Sequence, residues 1–216
     1  MKCIYCNHPH TYLLKEQQRK CSKCKRKFSL KKLERESILI KHFIKGSTAI
    51  EASIESKMHI VTVHKYYEQF RVRLALFADS KYHQYSNEIQ EYDEYLYLPK
   101  SLKIEDNIHK LQHFLTLNYH NKIYNIMMPS LERYSYNKNT IQEQKLLIKY
   151  LQFNKIAKIS KTENTITRFW DYFENFILKY KGISDEQFIY YLKEAECRFN
   201  YNKEILYKVL SKELFY

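Results

Sequence analysis

The chain is 216 residues long, is 44% hydrophobic and carries a formal net charge of +13. It contains no run of eighteen apolar residues, which excludes a transmembrane helix, and its first residues lack the apolar stretch of a signal peptide. We therefore expect a cytoplasmic protein with no membrane partner, in which paired cysteines are metal ligands rather than disulfides.

The positive charge is concentrated towards the N-terminus. Residues 1–72 hold 16 of the 37 basic residues but only 6 of the 24 acidic ones, so the remainder is close to neutral. This asymmetry predicts an anion-binding N-terminal region followed by a region with another role. Nucleic acid is the favoured anion because Lys and Arg gain affinity by displacing counterions from phosphates. The alternative, plain solubility, does not explain why the charge lies at one end.

Two cysteine pairs dominate residues 1–30. Cys3-x-x-Cys6 and Cys21-x-x-Cys24 are separated by fourteen residues, so two tight turns can present four thiolates to one tetrahedral zinc ion. Four cysteines leave no open position on the metal, which predicts a structural zinc ribbon. A redox-active pair is the alternative, but nothing nearby indicates a thioredoxin-type βαβ unit. Basic residues around the second pair are expected to contact DNA phosphates: Lys23, Lys25, Arg26 and Lys27.

Residues 31–78 are predicted to form a helix-turn-helix domain. Lys32–Lys45 repeats apolar residues, Ile38 among them, at helical spacing, and Gly46 follows as a stop. Ser47 or Thr48 can cap a short second helix that carries Ala49, Ile50, Ala52 and Ile54. After a turn, His59–Val72 reads as the third helix, and short helix, turn and longer helix is the helix-turn-helix order. A helical hairpin that only connects other segments is the alternative.

The third helix is predicted to have one buried and one exposed side. The buried side would use Ile60, Val63, Tyr67 and Phe70. The exposed side would enter the major groove of double-stranded DNA with five side chains: His59, Thr62, His64, Lys65 and Tyr66.

From residue 86 to 200 the pattern is mixed α/β. The predicted strands and helices are, in order, the strands Ile89–Leu98, Leu111–Tyr119 and Lys122–Met128, the helix Thr140–Phe153, the strand Lys155–Lys161 and the helices Asn164–Tyr180 and Ser184–Asn200. Three strands, a helix, a strand and a helix is the order of a ribonuclease-H-like core in reduced length. A further helix, Lys203–Phe215, is predicted within a C-terminal segment, residues 201–216.

Four stretches resemble insertion-sequence DDE transposases with an N-terminal zinc ribbon. Residues 164–170 (NTITRFW), 181–188 (KGISDEQF) and 191–200 (YLKEAECRFN) resemble the C-terminal block of that family, and residues 91–94 (EYDE) resemble its first catalytic strand. The order of ribbon, helix-turn-helix and core agrees as well. The resemblance implies DNA transposition by two Mg²⁺ ions held between three carboxylates, and it implies a homodimer.

The catalytic residues that the resemblance implies are incomplete. Asp93 matches the first carboxylate, but the predicted strand at 155–161 offers no acid for the second. Thr167 stands where the family carries Glu, and Glu174 stands where it carries Lys.

Two acids on the same predicted helix face, Glu163 and Asp171, are candidates to substitute for the third carboxylate. We expect a transposase-like DNA-binding protein that lacks a complete DDE site, with Asp93 as a remnant, so that Mg²⁺ is required only if activity survives. Two alternatives stay open: an active transposase with unorthodox carboxylates, and a domesticated transcriptional regulator.

Overall fold

A computed structural model of the chain describes residues 1–85, 88–99, 102, 110–129 and 164–215. Within these ranges the fold is mixed α/β, with six α-helices and two three-stranded antiparallel sheets, which confirms the predicted class at that level. The chain divides into two compact units. The N-terminal unit comprises residues 1–79 and 201–216, and the second unit comprises residues 80–200. No helix in the described ranges is both long and apolar enough to cross a membrane.

The N-terminal unit begins with a small sheet and continues as helices. The sheet has the order β1-β2-β3, and the C-terminal helix α6 belongs to the same unit although it was predicted as a separate segment. Its elements are β1 (Thr11–Leu13), β2 (Gln18–Cys21), β3 (Lys27–Ser29), α1 (Leu30–Lys45), α2 (Ala49–Ser56), α3 (Ile60–Tyr85, whose last residues belong to the second unit) and α6 (Lys203–Phe215).

The ends of α1 and α2 are set by local capping. Gly46 adopts a left-handed φ of 88° and closes α1 through its N–H, which donates to the carbonyls of His42 and Phe43. Thr48 and Glu51 form a reciprocal capping box at the start of α2, with distances of 3.3 and 2.7 Å. The predicted stop and cap therefore lie where the sequence indicates.

An aromatic cluster holds α1 against α3. The ring of Phe43 lies edge-to-face against Tyr67 and Phe70, with centroid distances of 4.9 and 5.4 Å. The hydroxyl of Tyr67 donates to the carbonyl of Ser47 at 3.2 Å, which ties α3 to the segment between α1 and α2. Val63, Tyr67 and Phe70 are buried as predicted.

Not every apolar residue of the first two predicted helices is buried. The Ile38 side chain is 38% exposed, and Ile50 and Ile54 are 66% and 72% exposed, so that α2 buries only Ala52. The third helix also continues past Val72, because no Gly or Pro occurs between residues 73 and 85 to end it.

The second unit packs two helices on one antiparallel sheet. The sheet order is β4-β5-β6, and its elements are β4 (Ile89–Tyr97), β5 (Gln112–Tyr119), β6 (Lys122–Met127), α4 (Thr165–Ile177) and α5 (Asp185–Asn200). A tight turn joins β5 to β6 through His120 and Asn121, which both adopt positive φ, as a two-residue hairpin requires. The predicted helix 140–153 and strand 155–161 lie outside the described residues.

The core of the second unit is strongly aromatic. Phe114 from the sheet and Phe169, Trp170 and Phe173 from α4 are all buried, as is Phe188 from α5. Aromatic rings bury a large apolar area each and pack edge-to-face or offset, so this cluster fixes α4 and α5 on the sheet.

Candidate metal centre and nucleic-acid interface

The four N-terminal cysteines converge on one point. Cys3 and Cys24 place their sulfurs 3.6 Å apart, Cys6 and Cys21 place theirs 3.5 Å apart, and all four sulfurs lie within 4.8 Å of one another. A tetrahedron with zinc–sulfur bonds of about 2.3 Å has sulfur–sulfur edges of about 3.8 Å. The arrangement therefore fits a single tetrahedral ion.

Backbone amides support the sulfurs of each cysteine pair. The N–H groups of Lys23 and Cys24 donate to Cys21 Sγ at 3.3 and 3.4 Å, and the N–H of Tyr5 donates to Cys3 Sγ at 3.4 Å. Each turn thus points its amides at the sulfur of its first cysteine, where they stabilise a thiolate.

The pKa values of Cys21 and Cys24 are shifted in opposite directions. Burial alone would raise the pKa of Cys21, but the amides of Cys24 and Lys23 and the neighbouring thiols lower that pKa to about 6. For Cys24, a hydrogen bond from the amide of Arg26 lowers the pKa, and burial and the other thiols outweigh it and raise the pKa to about 11. A cation at the centre would release this competition, because metal ligands bind as thiolates.

Among the residues that the structure describes, these cysteines are the only cluster of three or more His, Cys, Asp or Glu side chains with ligand geometry. Four sulfur donors with no open position suit a structural ion such as zinc and do not suit Mg²⁺, which takes oxygen ligands. The fifth cysteine, Cys197, is buried in α5, and burial raises its pKa. It is packed in the core of the second unit.

The four-cysteine cluster has little apolar support. Its buried core consists of Cys3, Ile4, Cys21 and Phe28, with Leu30 and Leu33 half-buried against it. So small a core would leave most of the folding energy of this segment to an ion bound by the four cysteines.

Exposed cations surround the second cysteine pair. Lys23, Lys25, Arg26 and Lys27 are all exposed, as the predicted phosphate contacts require. The guanidinium of Arg26 lies 5.2 Å from the centre of the Tyr5 ring, which holds this side chain against the surface.

The predicted reading side of α3 faces solvent. His59, Thr62, His64 and Lys65 are exposed and Tyr66 is half-buried. On the opposite side Val63, Tyr67 and Phe70 are buried, whereas Ile60 is only half-buried. The turn before α3 is fixed by Ser53, whose carbonyl accepts from the N–H of Met58 at 3.2 Å and whose hydroxyl donates to the carbonyl of Met58 at 2.7 Å.

The candidate catalytic carboxylates lie on different elements. Asp93 is half-buried on β4, where its carboxylate accepts the N–H of Glu94 at 2.8 Å, and Asp171 is exposed on α4. Neither belongs to a cluster of ligands among the described residues. Glu163 lies outside the described residues.

The residues at the two replaced family positions make structural contacts. Thr167 forms a reciprocal capping box with Asn164 at the start of α4, with distances of 2.8 and 2.9 Å. Glu174 accepts a hydrogen bond of 2.5 Å from the hydroxyl of Tyr95. Burial first, and then this hydrogen bond, raise the pKa of Tyr95 well above its usual range.

A buried ionic network in the second unit has no counterpart among the predicted site residues. One oxygen of Glu196 accepts from Lys193 Nζ at 2.9 Å and from the amide N–H and side-chain Nδ2 of Asn125 at 2.9 and 3.0 Å. Asn125 Oδ1 in turn accepts from Thr116, whose hydroxyl oxygen accepts from the indole N–H of Trp170. The Glu196 and Lys193 side chains are 1% and 6% exposed.

No family model, curated protein or solved structure matches this chain. The resemblance to transposases therefore rests on the residues that carry it, chiefly 91–94 and 164–200. The metal cluster and the exposed face of α3 are geometric findings that do not depend on that resemblance.

Proposed function

We propose that this chain binds double-stranded DNA through its N-terminal unit, with a structural zinc ion in the four-cysteine cluster. One observation carries the proposal: α3 presents a polar face that includes Lys65, while its other face packs on α1 and is hydrogen-bonded to Ser47, which precedes α2. The unit that contains α3 also contains the four exposed cations of the second cysteine turn. A rigid helix with an exposed polar face, preceded by a shorter helix and a tight turn, is the arrangement that docks in a major groove.

The two surfaces would contribute differently to binding. Lys65, His64 and Thr62 would reach base edges and adjacent phosphates, which gives sequence preference. Lys25 and Arg26 would neutralise phosphates, which adds affinity that depends on salt but not on sequence. The zinc ion would act only by holding the cysteine turns in place.

Fluorescence anisotropy on the zinc-loaded full chain tests this division. The probes are a random-sequence 30-base-pair duplex and duplexes enriched from a random pool by repeated selection. We expect Lys65→Ala to weaken binding to the enriched duplex by about fivefold to a hundredfold, which corresponds to about 1–3 kcal/mol. Lys25→Ala should weaken both probes alike and lower the slope of log affinity against log salt by about 1.

Lys179→Ala is the matched control, since Lys179 is an exposed lysine of the second unit. It should leave both affinities unchanged. If all three variants bind alike, or if no duplex is enriched and the chain shows no affinity for random DNA at low salt, the proposal is refuted.

We further propose that the chain is related to insertion-sequence transposases and lacks their complete catalytic site. The support is the quoted sequence blocks together with the capping role of Thr167 and the hydrogen bond that Glu174 accepts from Tyr95. Paramagnetic Mn²⁺ should then cause no site-specific broadening of the NMR signals of residues 91–95 and 164–174. Specific broadening there, with strand transfer of pre-cleaved element ends that Asp93→Ala abolishes, would instead establish the active-transposase alternative.

The regulator alternative requires sequence-specific DNA binding. A domesticated regulator must discriminate its site from bulk DNA by about a thousandfold or more at physiological salt. Equal affinity for the enriched and random duplexes would exclude it. A homodimer, implied by the resemblance, is tested by sedimentation of the zinc-loaded chain.

A further inference from the structure

A groove with a volume of about 450 Å³ lies between α1 and α6 in the N-terminal unit. Ile44 and the ring of Tyr207 contribute apolar surface to it, and Glu204 is the single acid among the described residues that line it. The remaining lining residues are lysines, two from each helix: Lys41, Lys45, Lys203 and Lys208.

The two helices that form the groove are fixed against each other. Ser37 Oγ and the hydroxyl of Tyr207 lie 3.1 Å apart in a hydrogen bond. Arg73 bridges the same helices, donating to the carboxylate of Glu36 at 2.7 Å and to the carbonyl of Leu210 at 3.1 Å. These contacts set residues 36 and 37 of α1 beside residues 207–210 of α6, while residues 41–45 share the groove with residues 203–208, so the helices run antiparallel. The groove therefore has defined walls before any ligand binds.

The composition of the groove selects a ligand type. Four lysines and one glutamate line the groove, so the local charge favours an anion. The apolar surface between them is covered only by a ligand that also has an apolar body. A volume of about 300–1,000 Å³ is typical of sites for small molecules. Lysines that hold DNA phosphates gain nothing from apolar walls, since a hydrated phosphodiester backbone does not enter them.

We propose that this groove binds a small amphipathic anion, namely a carboxylate attached to an aromatic or aliphatic body of about the size of naphthalene. The apolar body lies against Ile44 and Tyr207, and the carboxylate lies among Lys45, Lys203 and Lys208. This site is separate from the exposed face of α3 and from the cysteine cluster, and it does not depend on DNA binding.

Titration of the zinc-loaded, ¹⁵N-labelled full chain with 2-naphthoate tests the proposal. We expect saturable shift changes centred on the amides of Ile44, Lys45 and Tyr207, with a dissociation constant of about 0.1–1 mM, as suits a ligand of this size. The uncharged 2-naphthamide is the matched ligand and should bind about tenfold or more weakly, because it keeps the apolar body and loses the charge.

Charge-removing variants identify the lysines. The double variant Lys45→Gln, Lys208→Gln should weaken 2-naphthoate binding about tenfold, since each exposed ion pair is worth up to about fivefold. Lys31→Gln, an exposed lysine of α1 that does not line the groove, should leave it unchanged. Because all these side chains are exposed, we expect the thermal unfolding midpoints to be equal.

The results divide cleanly. Shift changes elsewhere in the chain, equal binding of the acid and the amide, or an unaffected double variant would each overturn the proposal. The proposal would also be overturned if the unsubstituted chain does not bind 2-naphthoate and the double variant loses affinity for DNA. That result would assign the groove to phosphate contacts. A failure of DNA binding with intact 2-naphthoate binding would refute the proposed function and leave this inference standing.

Discussion

Replacing Glu196 by Gln is a conservative substitution, but it should strongly destabilise the second unit. Glu196 and Lys193 form an ion pair of 2.9 Å whose two side chains are 1% and 6% exposed. The substitution keeps an oxygen that can accept the two hydrogen bonds from Asn125. It removes the carboxylate that pairs with the Lys193 ammonium, which also lies 3.4 Å from the centre of the Tyr124 ring.

The loss of stability depends on the buried Lys193 charge that remains after the substitution. Removing one partner of a buried ion pair typically costs about 3–5 kcal/mol, because the other charge remains buried without compensation. The retained Asn125 contacts place Glu196→Gln at the lower end, about 3 kcal/mol. Adding Lys193→Met removes the stranded charge, so the double variant should cost less than Glu196→Gln alone, despite carrying one more substitution.

Urea unfolding followed by tryptophan fluorescence measures this directly, since Trp170 is the single tryptophan and lies buried in the same core. With a slope of about 1.5 kcal/mol per molar urea, the midpoint should fall by about 2 M in Glu196→Gln. Glu186→Gln, an exposed glutamate on the same helix, should shift it by less than about 0.3 M. A double variant less stable than Glu196→Gln would refute the stranded-charge reasoning, as would a Glu196→Gln midpoint equal to that of the control.

Three further outcomes follow from the described contacts. Cys21→Ser should abolish the binding of one zinc ion per chain, as read by a chromophoric chelator, whereas Cys197→Ser should retain it; equal zinc content in both would contradict the four-cysteine site. Burial and the hydrogen bond to Glu174 raise the pKa of Tyr95 in the folded state. The contribution of Tyr95 to folding stability is therefore fully present below the unfolded-state pKa of about 10 and is lost as the pH rises above that value. Tyr95→Phe should therefore flatten the loss of stability between about pH 10 and 12, unlike Tyr92→Phe on an exposed side chain, and identical alkaline unfolding curves would argue against this. Gly46→Ala should cost about 1–2 kcal/mol in thermal unfolding, because φ is 88° while an added Cβ would meet no atom within 4 Å; no change would show that the cap relaxes.

Local signals in the sequence account for the elements that were predicted well. The strand Ile89–Leu98 was predicted within one residue of β4, and α1 begins two residues before Lys32 because Ser29 caps it. Caps, turn residues and a two-residue or 3.6-residue repeat act over a few positions, so they can be read without knowledge of tertiary contacts. The cysteine cluster is likewise encoded by spacing alone.

Features that depend on long-range packing could not be predicted from the same signals. Nothing in the sequence of α6 indicates that it packs on α1 rather than on the domain that precedes it. The spacing of Lys193 and Glu196 is also that of an ordinary exposed helical pair, and only the fold buries it. Ile50 and Ile54 are apolar but exposed, which shows that apolar residues in a short helix need not face the core.

The residues at the replaced family positions differ in how the fold constrains them. Thr167 occupies the third position of α4, where a glutamate would complete a capping box with Asn164 equally well. The fold therefore does not require threonine there, and stability alone does not account for the absence of a carboxylate. Glu174 is different, because a lysine could not accept the hydrogen bond from the buried Tyr95 hydroxyl. Thr167→Glu should thus be tolerated, whereas Glu174→Lys should disrupt the packing around Tyr95.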